Sequence, residues 1–187
     1  MNATITSTAH YVPEKVLTNS DLEKLVDTSD EWIKSRVGIN QRHVVSDGEA
    51  SSDMSTKVAH SLLEKRGISA ANIDVIIIGT VTPDHPTPST AAIVQNNINA
   101  ENAWAFDLSA ACSGFLYALE TGAKFIESGQ YKTIMVIGVD TMTSILDFED
   151  RETCIIFGDG AGGVILEASK SNTGILGSLL KLSLIHI

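Results

Sequence analysis

The chain has 187 residues, 43% hydrophobic and 19% charged, which suits one globular α/β unit with a sizeable core and is short for two full domains. Its net charge of −10, from 13 Lys and Arg against 23 Asp and Glu, argues against nonspecific nucleic-acid binding, which relies on basic side chains displacing counterions from phosphates. No run approaches the roughly 18 apolar residues of a membrane helix, and the two cysteines, Cys112 and Cys154, give neither a disulfide framework nor metal-ligand spacing.

ATITSTAHYVP alternates loosely up to Pro13 and predicts an opening strand. SDLEKLVDTSDEWIKSRVGI predicts two short helices: Asp27, Thr28 and Ser29 interrupt the first, Asp30 and Glu31 favour the start of the second, and Gly38 ends it. QRHVV, residues 41–45, reads as a short extended piece. SSDMSTKVAHSLLEKRG carries Val58, Leu62 and Leu63 at helical spacing, with Gly67 as a stop. DVIIIGTVT is a continuous β-branched run of the kind found in strands buried on both faces. PSTAAIVQNNI predicts a helix with Pro88 at its start, and AWAFDLS a strand. SGFLYALETGAKFIESGQ predicts a helix with Phe115, Leu116, Leu119, Phe125 and Ile126 on a broad apolar face. KTIMVIGVDT is a second buried strand, and CIIFGDGAGGVILEAS reads as two short strands around a glycine-rich turn.

Strands and helices alternate, which predicts an α/β fold: a mixed, mostly parallel sheet with helices on both faces. The closing hexamer LSLIHI, residues 182–187, has no turn signal and reads as a truncation or a non-native tail. The first residues have neither the basic nor the apolar region of a secretory signal, so a cytoplasmic location is expected.

Chemistry concentrates in FDLSAACSGFLYALETG, residues 106–122. A strand that delivers Cys112 into a tight turn before a helix would expose the thiol, and the helix N-terminus would favour the thiolate. Ser109, Ala110, Ala111, Ser113 and Gly114 are small enough to let backbone amides and a substrate come close. A buried packing cysteine fits the same residues, since free Cys is among the most buried types. Both readings stay open at this level. Cys154, in the apolar run CIIF, reads as packing. FGDGAGG, residues 157–163, matches neither the P-loop nor the dinucleotide pattern and reads as a tight turn in which Asp159 is structural. Trp32 and Arg36 share a helix face in TSDEWIKSR, so they form either a nucleotide-holding pair or a core anchor with a surface charge. In so acidic a chain an anionic ligand has to be met locally, and Arg36, Arg42 and Arg151 are the candidates. His10, His43, His60, His85 and His186 are scattered without metal-like spacing, and no metal site is expected.

TNSDLEKLVDTSDEWIKSRVGINQRHV, FDLSAACSGFLYAL and DRETCIIFGDGAGGVIL, in that order, closely resemble β-ketoacyl-acyl-carrier-protein synthase III, a condensing-enzyme family of the thiolase superfamily. The resemblance runs from about residue 2 to about 180 and implies a thiolase-like fold, with residues 1–181 as its N-terminal half. It implies that Cys112 accepts an acyl group from acyl-CoA, usually acetyl. Malonyl-acyl-carrier protein then attacks this thioester with loss of carbon dioxide, the step that initiates fatty acid biosynthesis. The amide of Cys112 would help form an oxyanion hole. Trp32 and Arg151 match the pair that sandwiches the CoA adenine, with Thr28 and Arg36 near the nucleotide. Phe157 matches a residue lining the channel to the cysteine, and Ile156 sits beside it. The coenzyme A thioester is a substrate, so no cofactor is implied; the partners implied are the acyl-carrier protein and, in the full-length enzyme, a second copy in a homodimer.

Three departures accompany the resemblance. Glu152 replaces the glycine that usually follows the stacking arginine. Thr87 stands where many members carry an aromatic at the acyl-pocket end, contributed across the dimer, and Met142 stands where leucine is common. Members run to about twice this length, and their catalytic histidine and asparagine lie in the second half, so this chain alone is expected not to condense. Two other readings remain: a secondary-metabolism relative with a non-acetyl primer, and a non-catalytic half-domain that only binds CoA or dimerises.

Overall fold

Every residue of Val75–Gly79 is buried, and this run, β4, is an inner strand of a five-stranded sheet. A computed structural model describes residues 2–169, 171 and 173–181; the hexamer at 182–187, with His186, lies outside the described residues. The sheet order is β1 (Ala3–Tyr11), β7 (Asp159–Ala168), β6 (Thr133–Thr141), β4 and β5 (Trp104–Leu108). β4 pairs in parallel with β5 and β6, whereas β7 lies antiparallel between β6 and β1. All strands but β7 therefore point the same way, and the sheet is mixed and mostly parallel.

Successive side chains on a strand point to opposite faces, and here they feed two cores. Ile76, Ile78, Met135, Ile137 and Ile165 pack under α3 (Ser51–Arg66) and α4 (Thr90–Asn97). Val75, Ile77, Ile134, Val136, Val164 and Leu166 pack under α5 (Gly114–Glu127), together with Ala118, Ala123 and Ile126 of that helix. Both faces of the sheet are covered, so the apolar runs lack polar alternation. A smaller core joins Leu22 at the end of α1 (Asn19–Leu22), Ile33 of α2 (Asp30–Val37), and Cys154 and Ile155. Gly38 and Gly67 end α2 and α3 at φ of 73° and 71°, the left-handed conformation glycine adopts without penalty. Among the described residues no helix is long and apolar enough to cross a membrane.

The structure departs from the sequence expectations in three places. Lys15–Thr18 form a strand, β2, which pairs antiparallel with β3 (Gln41–Val44) in a separate two-stranded sheet. Helix α4 begins at Thr90, after Pro88. Ser89 Oγ accepts the Ala92 amide at 3.2 Å, and the Asp107 carboxylate on β5 accepts the Thr90 and Ala91 amides, both at 2.8 Å. That remote carboxylate fixes the start where a local signal favours Pro88. CIIFGDGAGGVILEAS does not form two strands around a turn. Cys154 closes a short helix, α6 (Arg151–Cys154), and Gly160, Gly162 and Gly163 lie inside the ten-residue strand β7. Close packing gives the reason for one of them: a Cβ on Gly163 would come within 2.8 Å of the Val136 carbonyl oxygen.

The same crowding fixes α5. A Cβ on Gly79 would lie 2.8 Å from the Gly114 carbonyl carbon, so the first residue of the helix rests on bare strand backbone. Gly79→Ala is expected to lower stability by about 1–3 kcal/mol, measured as a lower urea midpoint with an unchanged denaturant slope.

Candidate active site

On the α5 face, three neighbouring strands run out of side chains toward one end. β4 presents Val75 and Ile77 and then Gly79; β6 presents Ile134 and Val136 and then Gly138; β7 presents Leu166 and Val164 and then Gly162 and Gly160. The result is an open cleft of about 700 Å³, floored by glycine and walled by Val81, Phe115, Met142 and Phe157. It lies at the carboxyl ends of β4 and β6, where open parallel sheets characteristically bind ligands.

Cys112 lines this cleft. It sits on the helical turn Ala111–Ser113 between β5 and α5, and its thiol is free and exposed. Ala111 holds φ of 45°, a left-handed conformation costly for a residue with a side chain. No side chain caps the start of α5, so the positive end of that helix stays available beside the thiol. Exposure, a strained turn and a helix N-terminus together favour the nucleophile over the packing cysteine. Cys154 is the packing cysteine: it is fully buried, and burial pushes its thiol pKa up. Among the described residues no histidine lines the cleft, and Asp140 is the ionisable side chain that lines it beside Cys112.

The guanidinium carbon of Arg151 lies 4.4 Å from the centre of the Trp32 ring. Arg36 is exposed in the last turn of α2, and Lys34 on the same helix is tied to Asp30 at 2.7 Å. The hydroxyl of Thr28, just before this helix, is buried and has no hydrogen-bond partner among the described residues. Helix α6 joins the two features, with Arg151 at its start and Phe157 three residues beyond its end. Ile156 is exposed between them. Thr87 is exposed on the loop before α4 and does not line the cleft. The structure thus brings Cys112, Met142 and Phe157 into one cleft and Trp32 and Arg151 into one stack; Thr28, Arg36 and Ile156 sit close to the stack in sequence, and Thr87 stands apart.

Arg42 is not a free contact for an anion. It is 3% exposed, and its guanidinium donates to the Ile155 carbonyl and, at 2.7 Å, to Asn19 Oδ1. It ties β3 and α1 to the end of α6. Asp159 is structural, accepting the Val45 and Thr143 amides at 2.8 Å and the Thr143 hydroxyl. Sequence reasoning missed the glycine floor, although Gly160 and Gly162 at a spacing of two carry the signature of one strand face.

The model of the 3-Oxoacyl-[acyl-carrier-protein (ACP)] synthase III family matches residues 106–182, a span that begins at β5 and contains Cys112. A β-ketoacyl-[acyl-carrier-protein] synthase III of Chlorobaculum tepidum is 60% identical over 182 residues, 96% of this chain and 55% of that protein. The chain is similar to the synthase III family. Its Streptococcus sanguinis relative is 57% identical over 89% of this chain and 51% of its own length. A crystal structure of the Aquifex aeolicus synthase III superimposes with a TM-score of 0.88 at 46% identity, covering 91% of this chain and 55% of that one. The fold is accordingly thiolase-like, and the chain spans about half the length of the curated relatives it matches.

The two kinds of arginine separate by experiment. Arg42→Met is expected to cost roughly 1–3 kcal/mol by leaving the Ile155 carbonyl and Asn19 unpaired. Arg151→Gln should stay within about 0.5 kcal/mol. Urea denaturation of both variants measures the difference.

Proposed function

We propose that this chain carries the acyl-accepting and CoA-binding part of a β-ketoacyl-acyl-carrier-protein synthase III. The observation that carries the reading is α6, which leads from the Trp32–Arg151 stack to the Cys112 cleft and so links an aromatic–guanidinium pair to an exposed thiol. The adenine of acyl-CoA stacks on the Trp32–Arg151 pair as the two part to admit it, with Arg36 near its phosphates and Thr28 close to the nucleotide. The pantetheine arm runs past Ile156 and Phe157 to the thiol. The Cys112 thiolate attacks the thioester carbonyl; its Sγ–C bond forms, the bond to the CoA sulfur breaks, and CoA leaves as a thiolate that takes up a proton. The Cys112 amide at the start of α5 stabilises the oxyanion. Malonyl-acyl-carrier protein then loses carbon dioxide, and its carbanion takes the acyl group and frees Cys112. The groups that stabilise that carbanion belong to the length this chain does not span. No further cofactor enters the reaction.

The setting follows from the same reading. The enzyme acts in the cytoplasm as a homodimer joined at the β5 edge. Trp104 is exposed there and stacks on Phe106 at 5.4 Å, with Phe125 and Tyr131 against it. Thr87, exposed near this edge, reaches the partner's acyl pocket. Glu152 beside Arg151 sets a negative charge next to the pair and weakens CoA binding.

A second reading, a primer other than acetyl, has its own support. The priming β-ketosynthase of the R1128 polyketide biosynthetic pathway superimposes with a TM-score of 0.88 at 32% identity. Thr87 is also smaller than an aromatic at the pocket end.

Incubation with acetyl-CoA and longer acyl-CoAs, followed by intact-mass measurement, tests both. An acyl adduct is expected on the chain and none on Cys112→Ser; a dominant longer adduct favours the second reading, and no adduct from any acyl-CoA overturns the acyltransferase. Trp32→Ala should weaken CoA binding about tenfold by calorimetry. With malonyl-acyl-carrier protein the chain alone should hold its thioester without condensed product.

A further inference from the structure

The backbone ladder between β4 and β6 stops at the pair Gly79 and Gly138. Two residues further along β6, the Asp140 side chain takes over the connection. Its Oδ1 accepts four hydrogen bonds from the segment that follows β4. They come from the Thr80 hydroxyl at 3.1 Å, the Val81 amide at 2.8 Å, the Thr82 amide at 3.2 Å and the Thr82 hydroxyl at 3.0 Å. The Thr82 hydroxyl in turn accepts the Thr141 amide at 2.8 Å, and the Thr82 carbonyl accepts from Ser51 Oγ at 2.7 Å. Thr80, Thr82 and Thr141 are buried and Asp140 is half-buried, so the network is partly shielded from water and an acceptor shared by four donors is costly to lose.

Val81 is the one residue of the three whose side chain escapes this network. It is partly exposed and forms a wall of the Cys112 cleft. We infer that Asp140 is a positioning residue: by clasping residues 80–82 to the end of β6, its carboxylate holds Val81 against the glycine floor and limits the length of acyl chain that reaches Cys112. Asp140 itself lines the cleft, but its work is done through Val81. Glycines at 79 and 138 make the carboxylate necessary. They leave the two strand ends without side chains to pack together, and a charged acceptor bridges the gap instead.

The inference rests on the acyltransferase reading for the nature of the ligand, but its test does not need CoA. Cys112 is alkylated in parallel with iodoacetamide and with N-octyl iodoacetamide, and the ratio of the two rates reports the space beside the thiol. Asp140→Asn keeps the shape and removes the charge; Thr82→Val removes one donor to Asp140 and serves should the first variant not fold. In either variant the ratio of long to short probe is expected to rise by about threefold to tenfold. Asp74→Asn weakens the carboxylate that accepts the Lys132 and Thr133 amides at the opposite end of β4, and should lower the melting temperature without moving the ratio. An unchanged ratio in both Asp140→Asn and Thr82→Val, or an equal change in Asp74→Asn, overturns the inference. Failure of every acyl-CoA to modify the wild-type chain overturns the acyltransferase reading alone and leaves the alkylation ratio intact as a measure of Asp140.

Discussion

The closeness of α5 to the sheet is the constraint on which the site depends. A helix that begins where β4 ends can rest on that strand only if both backbones are bare, and Gly79 and Gly114 meet that condition. Phe115 then lies over Gly138, where a Cβ would come within 3.0 Å of its own. The helix N-terminus is thereby held at the level where the side chains of β4, β6 and β7 give out. Cys112, one turn earlier, is left facing the hollow they leave. Nucleophile, positive helix end and cavity thus share one cause, which is the removal of side chains from three adjacent strand ends.

A second theme is the use of charged groups as struts. In a chain of net charge −10, several carboxylates are acceptors for backbone amides. Asp107 holds α4, Asp159 holds Val45 and Thr143, and Asp140 holds residues 80–82. Arg42 does the complementary work with carbonyl and amide oxygens. Such buried groups are specific because each fixes loops that apolar packing would leave free to slide. Val81, a wall of the Cys112 cleft, stands on one of these loops, so the polar framework sets its place.

The sequence carried most of the fold in its apolar patterning. Val75–Ile78 and Ile134–Ile137 read as doubly buried strands because helices cover both faces. The breaks at Gly38 and Gly67 were legible because glycine alone adopts those angles cheaply. Three things were not legible, each because a distant partner decides. Lys15–Thr18 becomes a strand only through β3, α4 starts where Asp107 meets it, and Gly160, Gly162 and Gly163 run straight because β1 and β6 bracket them. At the site, Cys112 is legible as a candidate from its strand–turn–helix setting, whereas the Trp32–Arg151 pair is legible only through motif resemblance. Arg42 was misread there, since nothing local distinguishes a buried arginine from a free one. Asp140 was invisible because its four donors lie about sixty residues away in the chain.

The reversed strand β7 also governs the order in which the protein can be made. It sits between β1 and β6 and supplies two of the four pairings in the main sheet, yet Thr6 and the Ile165 carbonyl that it meets are 159 residues apart. A chain emerging from the ribosome can pair β4 with β5 and β6 as each appears. Its first strand has no place to go until nearly the last described strand is synthesised. Through that interval β1 is an unpaired edge seeking any partner, and long-range closure of this kind is slow. Translation pauses before residue 159 would therefore prolong the most aggregation-prone stage of this protein's life.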